Sequence, residues 1–268
     1  MKPISNTAFY CCGVRMQDAA RPKPICGDDF AKAFMDERGL AILEKFKDEK
    51  YPSISSAVRH RIIDDMLRAW LGEDPRLTVV IIGAGFDSRA FRLPGGSWIE
   101  VDEPQVIEYK NARLAAAAAP NPLTRIPIDF ANESLEAKLA PYAGRDPVAI
   151  VIEGVFMYLA DDTTVDLLRS LQRLFPRHRL VCDLMTRRFF EKYSRTLYER
   201  IQELGASFAK LRDAPAELFI ANGYRILTAR SIVAAALRFT GVPIPEFLAK
   251  TLLRRMTLGY RIFAFEFG

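Results

Sequence analysis

The 268-residue chain has no apolar run approaching the roughly 20 residues that a membrane-spanning helix requires. Its first residues, MKPISNTAFYCCG, lack the basic flank, apolar stretch and small-residue cleavage site of a secretory leader. There are only two histidines, and the four cysteines (Cys11, Cys12, Cys26 and Cys182) have the spacing of neither a zinc site nor a disulfide framework. The expectation is a cytoplasmic protein with reduced thiols, no metal and no membrane contact. Internal repeats are missing, as is any linker rich in Gly, Pro or Ser. Basic residues are dispersed rather than interleaved with aromatics. The net charge of +5 therefore admits an anionic ligand without pointing to nucleic acid.

What is present is the composition of an ordinary globule, 50% hydrophobic and 26% charged. Residues 1–50 show no strand. From Ile54 to Leu71 the apolar residues Ile54, Val58, Ile63, Met66, Leu67 and Trp70 recur at helical spacing, and Gly72 and Pro75 close that helix. Strands and helices then alternate. Strands are predicted at 78–82, 97–102, 124–129, 148–154 and 178–185, with helices from Pro104 and over DDTTVDLLRSLQRLF between them. This pattern predicts a Rossmann-like α/β sheet, mostly parallel, with the alternating C-terminal YRIFAFEF as an antiparallel edge strand. One domain is expected: a helical cap (1–76), a core (77–185), a helical lid (186–213) and a C-terminal completion of the sheet (214–268).

The run TVVIIGAGFDSRAFRL drives a buried strand into Gly83-Ala84-Gly85, a turn whose backbone can approach a ligand beyond the strand ends. A dinucleotide fingerprint needs a third glycine where Ser88 stands, and Asp87 would face any phosphate, so the turn favours a ligand without one there. Asp102 ends the second strand where an acid can bind a ribose hydroxyl, with Glu100 as its rival. Asp129 and Glu153 end the third and fourth strands. Any single acid is more often a cap or a solvated terminus; acids at successive strand ends favour a site. Arg59 lies near the apolar face of its helix and needs an anion there, either a protein acid such as Asp87 or a ligand carboxylate. A carboxylate, a ribose and no phosphate suggest S-adenosyl-L-methionine.

The stretches VRHRIIDD (58–65), VVIIGAGFDSRAFRL (79–93), IEVDEP (99–104), IPID (126–129) and EGVFMYL (153–159) occur in an order that resembles the leucine carboxyl methyltransferase family. The similarity extends to its bacterial branch around the tetracenomycin polyketide O-methyltransferase. It covers roughly residues 5–185, with Arg15 and Asp28 as its N-terminal points. The resemblance implies a class I S-adenosylmethionine-dependent O-methyltransferase. It places Arg59 on the methionyl carboxylate, Gly83, Ala84 and Gly85 beside the methionyl group, and Asp102 on the ribose. Asp129 and Phe130 would flank the adenine, Glu153 would lie near the amine, and Arg15 would join the cofactor residues. Ile81 stands where many class I enzymes have an acid, as the family allows, and His60 stands where relatives often have Thr.

A carboxylate acceptor needs no general base, whereas a hydroxyl does. The candidate catalytic groups are Tyr158, able to orient an acceptor or simply to pack, and His60, a base or a partly exposed helix residue. His178 is expected at the surface away from the site. The lack of a convincing base favours carboxyl methylation of a small-molecule, polyketide-like acceptor. Arg187, Arg188, Lys192, Arg195 and Arg200, among Phe189, Phe190, Tyr193 and Tyr198, suit either a lid over an anionic acceptor or a solvated basic helix face. The alternatives are a nicotinamide-dependent oxidoreductase, which would need the missing third glycine, and a non-catalytic nucleoside-binding protein.

Overall fold

In a computed structural model that describes residues 3–241 and 254–268, seven strands form one sheet in the order β3-β2-β1-β4-β5-β7-β6. The strands are β1 (Thr78–Ile82), β2 (Ser97–Asp102), β3 (Leu123–Pro127), β4 (Val148–Ile152), β5 (His178–Met185), β6 (Arg225–Ser231) and β7 (Tyr260–Phe267). Pairs within β1 to β5 are parallel. β7 runs antiparallel to both β5 and β6. The C-terminal strand is thus antiparallel as expected, but it lies one place in from the edge, and β6 takes the edge. Its central residues Ile262 to Phe265 are all apolar and buried. The polar β6, with Arg225, Thr228 and Arg230, is the strand suited to solvent.

The helices are α1 (Thr7–Ala19), α2 (Glu37–Glu44), α3 (Lys50–Glu73), α4 (Arg89–Arg92), α5 (Pro104–Arg113), α6 (Leu135–Leu139), α7 (Asp161–Leu174), α8 (Arg187–Tyr193), α9 (Arg195–Glu203), α10 (Ala216–Ala221), α11 (Ile232–Phe239) and α12 (Arg254–Gly259). Side chains alternate along β1. Val79 and Ile81 join a core with α1 and α3, while Val80 and Ile82 join one with α7. Both faces of the sheet are therefore covered, which is why β1 reads as an unbroken apolar run. α3 begins four residues before the apolar stripe, with Pro52 tolerated in its first turn. α1 has no counterpart in the expected elements. Its apolar residues are interrupted by Gly13 and Arg15, and packing against α2 and α3 supplies what periodicity does not.

The strand order places the switch point between β1 and β4, where connections leave in opposite directions. His178 lies at the opposite end of the sheet and is buried rather than superficial. Its Nδ1 lies 2.7 Å from the Phe175 carbonyl and its Nε2 2.9 Å from the Tyr224 hydroxyl.

Candidate functional site

A cavity of about 1040 Å³ opens at this switch point. It is bordered by Gly83, Ala84 and Gly85 after β1, Asp102 at the end of β2, Phe130 after β3, and Glu153 and Gly154 after β4. Arg15, Arg59, His60 and Tyr158 also border it. Asp129 does not. Its carboxylate accepts hydrogen bonds from the Ala131 amide and the Asn132 side chain and caps the turn that presents Phe130.

Gly83 adopts φ +69°, and a Cβ there would lie 2.6 Å from Val155 Cγ2. Only glycine permits both the left-handed turn and the close approach. Asp102 is buried; one of its oxygens accepts the Gly85 amide at 2.6 Å and the other the Glu103 amide at 2.7 Å. These bonds tie the glycine turn to the end of β2. Burial raises the Asp102 carboxyl to about 6, against the lowering effect of the two amides. Its rival Glu100 is fully buried beneath the sheet end, paired with Lys110 and Arg125.

Beneath the cavity lies a buried network of charges. Arg59 Nε donates to Glu153 Oε1 at 3.0 Å. Its Nη1 reaches Asp183 Oδ2 at 3.3 Å and the Tyr260 hydroxyl at 3.0 Å, while its Nη2 meets Cys11 Sγ, at 3.6 Å, as its one hydrogen-bond partner among the described residues. The partners of Arg59 are thus Glu153 and Asp183, and Asp87 belongs to Arg89. Arg89 is completely buried. It donates to Asp64 at 2.6 Å, to Glu153 at 2.7 Å and to Asp87. Arg92 bonds Asp64 at 2.7 Å. Asp28 accepts from Arg15 at 2.9 Å and from Ser88 at 2.6 Å, and burial is outweighed by Arg15 and Arg92 so that its carboxyl falls to about 2. Arg15 also donates to the Phe86 carbonyl at 2.8 Å, bracing the glycine turn from behind. Burial alone would raise Glu153, yet Arg89, His60 and Arg59 hold it well below the usual carboxylate range.

His60 is buried, not partly exposed. Its Nδ1 lies 3.2 Å from Glu153 Oε2 and its Nε2 lies 2.7 Å from an Arg92 nitrogen. Arg89 Nη2 also lies 2.8 Å from Nδ1, so arginine donors face both ring nitrogens, and burial together with Arg89 lowers the basicity of the ring. Both nitrogens are occupied, so His60 does not fit the role of a general base. His60, Asp87 and Glu153 also bring potential ligand atoms within 4.8 Å of one another. Arg89 touches all three and is the cation that holds them. Burial raises the Tyr158 hydroxyl, while its ring packs edge-on against Phe208 at 5.1 Å. That suits an orienting or packing group.

The buried groups comprise four guanidiniums (Arg15, Arg59, Arg89, Arg92) and five carboxylates (Asp28, Asp64, Asp87, Glu153, Asp183). With His60 neutral, the five carboxylates are matched by these four guanidiniums and by Arg68, 3.9 Å from Asp64. Arg89, Arg92, Asp64, Asp183 and Tyr260 went unassigned in the sequence reading. The two arginines stand inside the quoted GAGFDSRAFRL, and Asp64 lies one helical turn after His60, a signal that was available. Asp183 and Tyr260 offered none, because their partner Arg59 is more than a hundred residues away.

Residues 8–172 match the leucine carboxyl methyltransferase family. The chain is 31% identical over 188 residues to a putative S-adenosyl-L-methionine-dependent methyltransferase of a Parafrankia species, covering 64% of this chain and 59% of that relative. It is 29% identical over 226 residues to another of Mycolicibacterium smegmatis, covering 76% and 75%. The fold is similar to magnesium protoporphyrin IX methyltransferase from Synechocystis with bound S-adenosylhomocysteine (TM-score 0.52, 17% identity, 90% of this chain and 99% of that one). It is also similar to a DUF574 family protein from Streptomyces avermitilis (TM-score 0.59, 14% identity, 95% and 100%). With the family model matching more than half of the chain, this chain belongs to the leucine carboxyl methyltransferase family.

Proposed function

We propose that this chain is an O-methyltransferase that uses S-adenosylmethionine to methylate a carboxylate or hydroxyl oxygen of a small-molecule acceptor. One observation carries the reading. Asp102, Gly83 and Glu153 at neighbouring strand ends border the same cavity as a broad apolar chamber, so one continuous cleft has room for cofactor and acceptor groups.

The residues fit the cofactor. Asp102 uses one lone pair on each oxygen for backbone amides and keeps the others for ribose hydroxyls. Arg59 is fixed on two edges by Glu153, Asp183 and Tyr260, leaving Nη2 for the methionyl carboxylate. Gly83 and Gly154, both at positive φ, leave the backbone bare beside the methionyl group. Phe130, 43% exposed, supplies an apolar surface for the adenine. Arg15 and Asp28 act one step back, by bracing the glycine turn. When bound, the sulfonium supplies an activated methyl group. The chain's own task is to align the acceptor oxygen behind that methyl and to exclude water, the role of Tyr158 and the insertion helices α8 and α9.

Calorimetric titration with S-adenosylmethionine and with NAD tests the cofactor. Binding of NAD with no response to S-adenosylmethionine would overturn the proposal. A mass-spectrometric acceptor screen, scoring the gain of one methyl group and its lability to mild base, separates esters from ethers. Release of S-adenosylhomocysteine only when acceptor is present separates an enzyme from a nucleoside-binding protein.

A further inference from the structure

We infer that Tyr260 and Asp183 are positioning residues for the cofactor: they aim the Nη2 edge of Arg59 at the methionyl carboxylate, so that the first residue of β7 sets how tightly S-adenosylmethionine is held. This rests on the proposed methyltransferase reading and adds two residues to its binding machinery.

A guanidinium held by one hydrogen bond can still swing about that bond. Glu153 supplies one such hold, on Nε at 3.0 Å. The second hold is on Nη1, and it comes from two groups at once. Nη1 lies 3.3 Å from Asp183 Oδ2, long for a charge-assisted contact, but 3.0 Å from the Tyr260 hydroxyl. That hydroxyl in turn donates to Asp183 Oδ2 at 2.7 Å. Tyr260 therefore accepts from the guanidinium and donates to the carboxylate, a bridge tighter than the direct contact. With Nε and Nη1 both held, the plane of the guanidinium is fixed and Nη2 points one way.

The same carboxylate also sets what Nη2 faces. Asp183 Oδ1 accepts the Gly154 amide at 2.6 Å. Gly154 has φ +70°, and a Cβ there would lie 3.2 Å from Arg59 Nη2. The two oxygens of one side chain thus hold the turn after β4 and the guanidinium against each other. Asp183 and Tyr260 are both buried, which strengthens these bonds. The Tyr260 ring is itself held, with its centroid 5.9 Å from that of Phe189 on α8. Gly259, just before it, admits Phe189 so closely that a Cβ would lie 2.5 Å from the ring. The basic neighbours Arg187 and Arg188 turn instead to Asp213. Arg59, Phe189 and Tyr260 all border the cavity. Packing alone would ask for an aromatic ring at 260, whereas the hydroxyl is what links the cation to the anion.

Two ligands that differ only in the carboxylate test this: S-adenosylhomocysteine and its decarboxylated analogue, which keeps the amine. Tyr260→Phe keeps the ring against Phe189 and removes the hydroxyl. In calorimetric titration it is expected to bind S-adenosylhomocysteine roughly tenfold more weakly. Affinity for the decarboxylated analogue should stay within about twofold of wild type. Adding Tyr260→Phe to Arg59→Lys should cost nothing further, because the hydroxyl acts through the guanidinium. Tyr224→Phe is the control. It also deletes a buried hydroxyl, 2.9 Å from His178 at the other end of the sheet, and should leave both affinities unchanged. Equal weakening of both ligands by Tyr260→Phe, weakening of neither, or additive losses in the double variant overturns the inference. If Tyr260→Phe does not fold, Asp183→Asn is read in the same titrations, and loss of the fold in both overturns the inference as well. If the wild type binds neither ligand, the S-adenosylmethionine reading beneath the inference falls instead.

Discussion

Arg59 Nε and Glu153 Oε1 are 3.0 Å apart, joining the middle of α3 to the residue that follows β4. The pair closes the floor of the cavity and ties the N-terminal helices to the sheet. It also makes the two residues most exposed to a double interpretation, since each is bound to protein and each borders the cavity.

Arg59→Lys separates the two interpretations. It keeps the charge, but one ammonium cannot hold Glu153 and Asp183 while also reaching a ligand as Nη2 can. Affinity for S-adenosylmethionine should fall by roughly tenfold or more, whereas affinity for 5′-methylthioadenosine, which has no carboxylate, should hardly change. Equal losses in calorimetry would show that Arg59 serves the protein alone.

Arg89 is the stability test. Arg89→Met removes the cation shared by Asp64, Asp87 and Glu153; Asp64 keeps Arg92 and Glu153 keeps Arg59, but Asp87 loses its ion-pair partner among the described residues. Breaking a buried pair in this way costs about 3–5 kcal/mol. Urea unfolding should register a loss on that scale. A loss below about 1 kcal/mol, the scale of an exposed pair, would mean that the network is hydrated.

Asp102 ties cofactor binding to pH. Its carboxyl, raised by burial to about 6, is ionised above that pH and protonated below it. On the proposed ribose role, cofactor affinity should therefore decline as pH falls through 6, because an ionised carboxylate can accept from two hydroxyls and a protonated one cannot do so equally. The effect on the free protein has the opposite sign. A raised folded-state carboxyl stabilises the fold below its unfolded value, near 3.9, and that contribution is lost as pH rises through 6. Asp102→Asn should flatten both dependences. Binding curves from pH 5 to 8 with thermal unfolding at each pH would show it.

Gly83→Ala forces a side chain into φ +69° and against Val155. The left-handed conformation alone costs about 1–2 kcal/mol, so the melting temperature should drop and cofactor affinity should fall. Adding Val155→Ala should restore only part of the stability, because it relieves the contact but not the backbone strain. Full recovery in differential scanning calorimetry would show that the contact alone required glycine.

Local rules determined a good deal of this protein. The apolar run 78–82, the glycine turn and the acids at the strand ends are properties of short segments. Neighbouring parallel strands then bring those ends together, so the convergence of Gly83, Asp102 and Glu153 is legible in the sequence. Only tertiary structure decided which charges meet. Helical period says that Arg59 and Ile63 lie near one face of α3; it cannot say that Asp183 and Tyr260 wait opposite, because those partners arrive from distant strands. The same limit applies to His60, enclosed by Arg89 and Arg92, and to the basic residues of α8 and α9, which turn outward while their aromatic neighbours line the cavity. A periodic pattern fixes the angle between side chains on one helix, and burial depends on what the rest of the chain packs against each face.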